Sequence, residues 1–273
     1  MRLTLLCDNF TYIDRYYLGE PAFSCLIEDG ARTILFDAGY SDVFMENARR
    51  MDIDLSRVTD VALSHGHNDH TGGLPAFFAA FSQPVRLYAH PHAFLPKRDG
   101  GLSVGSPLRI DALPPQVEKH IGKAPQWISE HVCFLGEIPR RYEFESQRSV
   151  GETRSGGVWT PDALADDTAL ALTVEDGTFL VAGCAHSGVC NIAAYTKALL
   201  GAPLSGYLGG MHLFEADDAF LAVMDELQRL GLAALYPCHC TSLAVKAALC
   251  ARFKVREVGV SLQLTLQART PQG

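Results

Sequence analysis

Two apolar, strand-like runs flank the dipeptide Asp29-Gly30, and a second pair of such runs flanks Asp176-Gly177. An Asp-Gly dipeptide between apolar segments is typical of a tight β-hairpin, because it supplies the positive φ angles that the turn needs. After each hairpin, segments with helical spacing alternate with short apolar strands. The pattern therefore predicts two related halves, each with paired strands and covering helices.

The same pattern gives the positions of the individual elements. In the first half we expect helices at 42–51 and 74–81 and strands at 58–65 and 85–90. In the second half we expect helices at 191–201, 218–231 and 243–250 and strands at 204–210 and 232–239. Helices of this kind cover only one face of a sheet, so two mixed sheets packed between helical layers would satisfy both halves. The predicted fold class is α/β.

The periodic pattern breaks down between Pro96 and Asp166, where Gly, Pro and polar residues dominate. A long irregular stretch within a compact domain is more often a lid or a binding segment than a packed element. We therefore predict one domain over 1–273 with an irregular lid or insertion at about 96–166.

Composition narrows the class of protein. The chain has 273 residues, 48% of them hydrophobic, and a net charge of −8, which argues against a nucleic-acid partner. It contains no apolar run of about 18 residues, so we expect no membrane span and a cytoplasmic location. The eight cysteines are spread through a chain too large to need a disulfide framework, and we expect most of them to be reduced core residues.

The strongest local signal is the run from Ser64 to Gly73, which follows an apolar strand and precedes a helix. Three imidazoles and one carboxylate fall within six positions of this run. These groups are preferred ligands of borderline divalent metals, and a loop at a strand end can direct all of them to one point. The run therefore predicts a metal site formed by His65, His67, Asp69 and His70.

This run resembles the His-x-His-x-Asp-His signature of the metallo-β-lactamase superfamily. Asp37 in FDAG and His239 in YPCHC resemble further motifs of the superfamily. The segments LSHGHNDHTGGL, DDTALAL, GCAHSGVCN, GGMHL and CHCT are similar, in this order, to the branch that includes 7,8-dihydropterin-6-ylmethyl-4-(β-D-ribofuranosyl)aminobenzene 5'-phosphate synthase. This second resemblance covers nearly the whole chain.

The resemblance implies an αββα sandwich and two divalent metal ions per chain. It assigns His65 and His67 to one ion, and Asp69, His70 and His239 to the other. We expect zinc, with iron and manganese as alternatives, because this mixture of nitrogen and oxygen ligands suits all three metals.

The remaining ligands are less defined, because the chain departs from the superfamily pattern. Asp166-Asp167 stands where many members have a His, and Gly183-Cys184 stands where they have Gly-Asp. We expect His186 to supply the missing ligand, since it follows an apolar strand. Asp37 is expected to accept the distal N–H of a metal-bound imidazole. Asp167 and Asp166 remain open, either as ligands or as caps of a strand turn.

Two ions of this kind would share a bridging water, lower its pKa and favour hydrolysis. We expect Asp69 to orient the hydroxide, while His212 acts either as a general acid or as a further ligand. In the lid, aromatic rings and arginines would suit a small, anionic, ring-containing substrate. These residues are Trp127, Trp159, Phe134, Tyr142, Arg140, Arg141, Arg148 and Arg154.

Other functions compete with this prediction. A flavodiiron-type redox protein typically has Glu at the second motif position, which is His67 here, and an RNA-processing nuclease is disfavoured by the acidic charge. A metal-binding regulatory protein without catalysis, and a hydrolase of another ester, phosphodiester or lactone, remain as alternatives. The sequence leaves the oligomeric state open.

Overall fold

A computed structural model of the chain describes residues 1–145 and 149–270. Arg148, one of the cations predicted in the lid, lies outside the described residues. The chain divides into two compact units. Unit 1 comprises Met1–Lys123, Arg148–Asp166 and Gly259–Thr265, and unit 2 comprises Ala124–Gln147, Asp167–Val258 and Leu266–Gly273.

Most of the secondary structure consists of short strands. They are β1 (Arg2–Cys7), β2 (Ser24–Asp29), β3 (Arg32–Phe36), β4 (Asp60–Ala62), β5 (Val85–Ala89), β6 (Lys97–Asp99), β7 (Leu102–Ser103), β8 (Val117–Ile121), β9 (Gln126–Trp127), β10 (Val132–Phe134), β11 (Glu152–Ser155), β12 (Val158–Pro161), β13 (Ala169–Val174), β14 (Gly177–Ala182), β15 (Leu204–Gly209), β16 (Ala234–Pro237), β17 (Lys254–Val255) and β18 (Gln263–Thr265). The α-helices are α1 (Val43–Arg50), α2 (Asn68–Thr71), α3 (Leu74–Ala80), α4 (Val189–Leu200), α5 (Asp218–Leu230) and α6 (Leu243–Leu249). Short 3-10 helices lie at Leu55–Arg57, Pro91–Phe94 and Ile110–Ala112.

Unit 1 contains a seven-stranded mixed sheet in the order β18-β1-β2-β3-β4-β5-β8. The pairs from β18 to β3 are antiparallel, and those from β3 to β8 are parallel. Apolar side chains of this sheet, such as Leu35, Val61 and Leu87, pack with Phe44 of α1 and Phe77 of α3 in one buried cluster. Burial of this apolar surface is what holds the helices on the sheet.

Unit 2 repeats this plan. Its seven strands follow the order β17-β16-β15-β14-β13-β10-β9, with antiparallel pairs from β9 to β14 and parallel pairs from β14 to β17. Its core joins strand residues such as Leu180 and Tyr207 to Ile192 of α4 and Leu227 of α5. The two halves predicted from the hydrophobic pattern therefore have matching sheet topologies.

Both predicted hairpins and all the predicted helices are present. Strands β2 and β3 pair antiparallel around Gly30, whose φ angle is +59°, and β13 pairs antiparallel with β14. The turns differ in detail, because Asp29 pairs with Arg32 whereas Val174 pairs with Gly177. All eight cysteines are free thiols, as expected, and six of them are buried.

The segment from Pro96 to Asp166 is more regular than the sequence pattern predicted. Strands β6, β7, β11 and β12 form a four-stranded antiparallel sheet in unit 1, and β8, β9 and β10 extend the two large sheets. These strands have only two to five residues, too few for a clear alternation of apolar and polar positions. Over 1–145 and 149–270, no helix is long and apolar enough to cross a membrane.

Candidate metal centre

The motif residues of unit 1 follow the end of a strand. Phe36 of β3, Ala62 of β4 and Tyr88 of β5 lie side by side in parallel register, so these strands end at one edge of the sheet. The motif loop begins just beyond β4 and runs into α2. A Cβ at Gly66 would lie 2.2 Å from the carbonyl oxygen of Ala93, so only glycine fits at this point of the loop.

Asp37 organises the start of the motif. One of its carboxylate oxygens accepts the Ser64 N–H at 2.8 Å, and the other accepts the Ser64 hydroxyl at 2.6 Å and lies 2.7 Å from Nδ1 of His70. Because a carboxylate only accepts hydrogen bonds, Nδ1 of His70 carries the proton and Nε2 keeps its lone pair. His70 is therefore held in the tautomer whose Nε2 can bind a metal. This Nε2 lies 3.6 Å from a carboxylate oxygen of Asp69.

His65 and His67 form a second pair in the same loop. Nδ1 of His65 lies 2.9 Å from the Ser64 hydroxyl, and Nε2 of His65 lies 3.0 Å from Nδ1 of His67. Two nitrogens bound to one tetrahedral zinc at about 2.0–2.1 Å would lie about 3.3 Å apart, close to this separation. Burial lowers the pKa of His67 to about 4, so its ring is neutral at neutral pH, as a ligand must be.

A buried ion cluster lies behind this loop. The Gly66 N–H donates to Asp166 at 2.8 Å, and the other carboxylate oxygen of Asp166 accepts from the Lys97 ammonium at 3.0 Å. Burial works against ionisation of Asp166, but Lys97 and the Gly66 N–H hold its pKa below the ordinary value. The sequence left the role of Asp166 open, and no motif in it pointed to Lys97.

The candidate ligands of unit 2 come from three consecutive parallel strands. Ala182 of β14, Gly209 of β15 and Pro237 of β16 lie in one row, so these strands also end together. The residues that follow them are Cys184, His186, His212 and His239. His212 and His239 have φ angles of +49° and +46°, a left-handed backbone that is costly for a residue with a side chain and tends to occur at functional sites.

His186 and His212 lie next to each other, with ring centroids 4.2 Å apart. The turn that carries His186 is fixed by Asp167, whose carboxylate accepts both the N–H and the hydroxyl of Ser187 at 2.8 and 2.6 Å. The structure thus gives Asp167 a clear role in holding this turn. His212 also makes an edge-on contact with the half-exposed ring of Phe214, at 5.0 Å between centroids.

Cys184 is a candidate ligand, although from the sequence we expected a structural cysteine here. Its sulfur lies within 4.8 Å of a ring nitrogen of His239. A thiolate is a good zinc ligand, so a cysteine in place of the Asp of a Gly-Asp dipeptide keeps an anionic donor at that position. The departure from Gly-Asp was the signal that could have pointed to this residue.

The predicted substrate-binding residues are divided between the units. Trp127 is half exposed and Arg140 and Arg141 are exposed in unit 2, where the backbone N–H of Arg141 donates to Asn191. Trp159 belongs to unit 1 and carries the Arg98 guanidinium 4.3 Å above its ring. Substrate binding by these side chains stays a prediction.

The chain matches a known protein superfamily. A sequence profile with the description "Metallo-beta-lactamase superfamily" matches residues 18–239. The chain belongs to this superfamily, and the resemblance inferred from the motif is confirmed. The α/β fold class of the metallo-β-lactamase type is confirmed as well.

Three relatives give this assignment more detail. The chain is 30% identical to an uncharacterized protein, MJ0448, of Methanocaldococcus jannaschii, over 88% of this chain and 90% of that protein. It is 25% identical to the 7,8-dihydropterin-6-methyl-4-(beta-D-ribofuranosyl)-aminobenzene-5'-phosphate synthase of the same organism, over 93% and 92% of the two chains. The crystal structure of Tm1679, named a metal-dependent hydrolase of the β-lactamase superfamily, matches with a TM-score of 0.85 and 26% identity over 98% of this chain and 99% of that one.

These relationships establish a general chemistry. Members of the superfamily are mostly hydrolases and generally bind divalent metals. The two units of this chain carry His, Asp and Cys side chains, most of them buried, whose donor atoms suit such metals.

Proposed function

We propose that this protein is a metal-dependent hydrolase of a small, anionic, ring-containing substrate. The observation that carries the proposal is the motif loop, where Asp37 holds His70 and where His65 and His67 bring two nitrogens to 3.0 Å from each other. Buried imidazoles with such fixed tautomers are typical of metal ligands.

We assign His65, His67 and His186 to one divalent ion, and Asp69, His70 and His239 to a second. Cys184 is a further candidate for the ion at His239, because of their short separation. Zinc suits this set best, since it accepts imidazole, carboxylate and thiolate together. When bound, such ions would supply activated water and polarise the carbonyl or phosphoryl oxygen on the substrate atom that the water attacks.

The residues of the chain have separate roles in this reaction. Asp37 fixes the proton on Nδ1 of His70 and so keeps Nε2 available as a donor atom. A carboxylate oxygen of Asp69 accepts a hydrogen bond from the attacking water and orients it. A ring nitrogen of His212 donates a proton to the leaving-group oxygen. This role suits a ring that lies next to the candidate ligand His186 and also contacts the half-exposed ring of Phe214.

The substrate class rests on two arguments. A relative of 25% identity is named as a synthase of a dihydropterin phosphate compound, which is both anionic and ring-containing. In addition, Arg140 and Arg141 are exposed cations that suit a phosphate or carboxylate, and Trp127 offers a half-exposed flat ring.

The test is a screen of phosphodiester, lactone and thioester substrates with metal-free and zinc-reconstituted protein. We expect turnover only in the reconstituted protein, and we expect His212→Ala to keep its metal while losing turnover. Reconstituted protein that binds metal but turns over none of these classes would favour a non-catalytic metal-binding protein instead. If His212→Ala loses as much metal as His186→Ala, His212 is a ligand and not the acid.

The substrate class has its own test. The double variant Arg140→Ala, Arg141→Ala is compared with Arg256→Ala, another exposed arginine of unit 2. We expect the double variant alone to raise KM for an anionic substrate and to leave a neutral substrate with the same reacting group unchanged. Equal kinetics for both substrates would exclude these arginines from substrate binding.

A further inference from the structure

The insertion sheet of unit 1 carries a fully buried lysine. Lys97 lies at the start of β6 with only 2% of its side chain exposed. Its ammonium contacts Asp162 at 2.6 Å and Asp166 at 3.0 Å, and both carboxylates are buried. Burial of three charges is costly, and such a cluster is retained only where each member is well paired or where it fixes a particular geometry.

This cluster is joined to the motif loop by the backbone. The N–H of Gly66, the residue between His65 and His67, donates to Asp166 at 2.8 Å. Both oxygens of Asp166 therefore already accept hydrogen bonds, one from Gly66 and one from Lys97. This arrangement favours a supporting role for Asp166 over that of a metal ligand.

The insertion reaches the same loop by a second route. His67 forms an isolated antiparallel bridge with Gly105, just beyond β7, and the Asn68 N–H donates to the carbonyl of Val104 at 2.9 Å. The Val104 N–H in turn donates to the carbonyl of Lys97. Lys97 thus contacts the loop through its ammonium, by way of Asp166, and through its carbonyl, by way of Val104.

From these contacts we propose that Lys97 is a positioning residue. Through Asp166 it fixes the backbone at Gly66, and this fixes the relative orientation of the two imidazoles on either side. The proposal rests on the proposed function, because it concerns the ion assigned to His65 and His67. It also gives the insertion a role that differs from that of a lid.

The test compares Lys97→Met with Arg98→Met. Arg98 is the neighbouring residue on β6 and pairs with Glu152 at the surface, so it controls for loss of a cation from the same strand. In cobalt(II) titrations of folded protein we expect Lys97→Met to weaken one of two binding steps by about 10–100-fold, the range for loss of a residue that supports a ligand. The other step, and both steps in Arg98→Met, should match the wild type.

A second measurement does not depend on metal. Hydrogen exchange of the peptide covering residues 64–70 in metal-free protein should be faster in Lys97→Met than in Arg98→Met. Asp166→Asn keeps the shape of the side chain and should give a smaller change in the same direction, which covers the case in which Lys97→Met does not fold.

Three results would overturn the proposal. The first is folded Lys97→Met whose cobalt(II) titration and hydrogen exchange both match the wild type. The second is an equal weakening of both cobalt(II) binding steps together with a lower denaturation midpoint in Lys97→Met. The third applies if Lys97→Met is unfolded, and it is unchanged hydrogen exchange in Asp166→Asn. If the wild type binds no metal, the proposed function fails separately. The exchange measurement then decides the anchoring of the loop by itself, and equal exchange in the two variants excludes it.

Discussion

The candidate ligands of unit 1 and unit 2 are held in different ways. In unit 1 they lie on one short loop, and direct contacts link His65 to His67 and His70 to Asp37. In unit 2 they stand at the ends of separate strands, and His212 and His239 adopt a left-handed backbone there. Hydrogen bonds between side chains thus fix the ligands in the first case, whereas strand register and backbone conformation fix them in the second.

This difference has a consequence for mutations. A change at one member of the unit 1 network removes contacts of the other members, so its effect should spread within the loop. A change at one strand end of unit 2 leaves the register of the other strands intact, so its effect should stay local.

The largest effect is expected for Asp37→Ala. It leaves the Ser64 N–H, the Ser64 hydroxyl and Nδ1 of His70 without their acceptor, and each such buried donor costs about 1–3 kcal/mol. We expect a loss of about 3–9 kcal/mol in the free energy of unfolding by urea denaturation. The matched change in unit 2, Asp167→Ala, removes the acceptor of two donors, the N–H and the hydroxyl of Ser187, and should cost less, about 2–6 kcal/mol. Equal losses would contradict the comparison.

The next effect concerns the metal sites. His67→Ala should remove the ion assigned to His65 and also lower the affinity of the remaining one, because His67 contacts His65 in the shared loop. His239→Ala should remove the other ion and leave the first unchanged. Zinc analysis after reconstitution and dialysis measures both. After dialysis, His67→Ala should therefore retain less zinc than His239→Ala, and equal retention in the two variants would contradict this difference.

A third prediction uses a buried carboxyl in unit 2. Glu145 accepts the N–H groups of Cys190 and Asn191 at the start of α4, and burial raises its pKa to about 7. Because the folded pKa lies above the ordinary value of about 4.5, the stability that this group contributes is complete below pH 4.5 and is lost as pH rises to about 7.

Glu145→Gln removes this titration. In urea denaturation, the variant should match the wild type near pH 5 and exceed it by up to about 3 kcal/mol near pH 8. His67 should change the free energy of unfolding with pH in the opposite direction. Because its pKa is lowered, the stability of the metal-free protein falls as pH drops from 6.5 to about 4. If the difference in the free energy of unfolding between Glu145→Gln and the wild type is the same near pH 5 and near pH 8, the raised pKa of Glu145 is disproved.

The smallest effect is spectroscopic. If Cys184 binds the ion assigned to His239, cobalt(II)-loaded protein should show an intense near-ultraviolet band from the thiolate, and Cys184→Ser should lose it while staying folded. Cys190→Ser, at a buried thiol on α4, is the control and should keep the band. Absence of the band in the wild type would leave Cys184 as a core residue.

The same contrast explains which features could be predicted from the sequence. The candidate ligands of unit 1 could be proposed because they are adjacent in the chain. The hairpins and helices were predicted because they are long enough to show a period. Cys184 was not proposed as a ligand from the sequence, because its proximity to His239 depends on the register of β14, β15 and β16. Lys97 was missed for a similar reason, since its partners Asp162 and Asp166 lie more than sixty positions further along the chain.

The insertion shows a second limit of prediction. Its strands β6 and β7 have three and two residues, and they form only because they pair with each other and with β11. Such pairing is non-local, so a single-sequence pattern carries little trace of it. The predicted lid therefore contains a small sheet whose existence was not visible in the hydrophobic pattern.

The central claim is that the chain binds two divalent ions, one through His67 and the other through His239. The most direct measurement is a zinc titration of metal-free protein, followed by native mass spectrometry of the wild type, His67→Ala and His239→Ala. The account predicts two ions in the wild type and one in each variant. A wild type that retains no metal at saturating zinc, or that retains both ions in either variant, would contradict it.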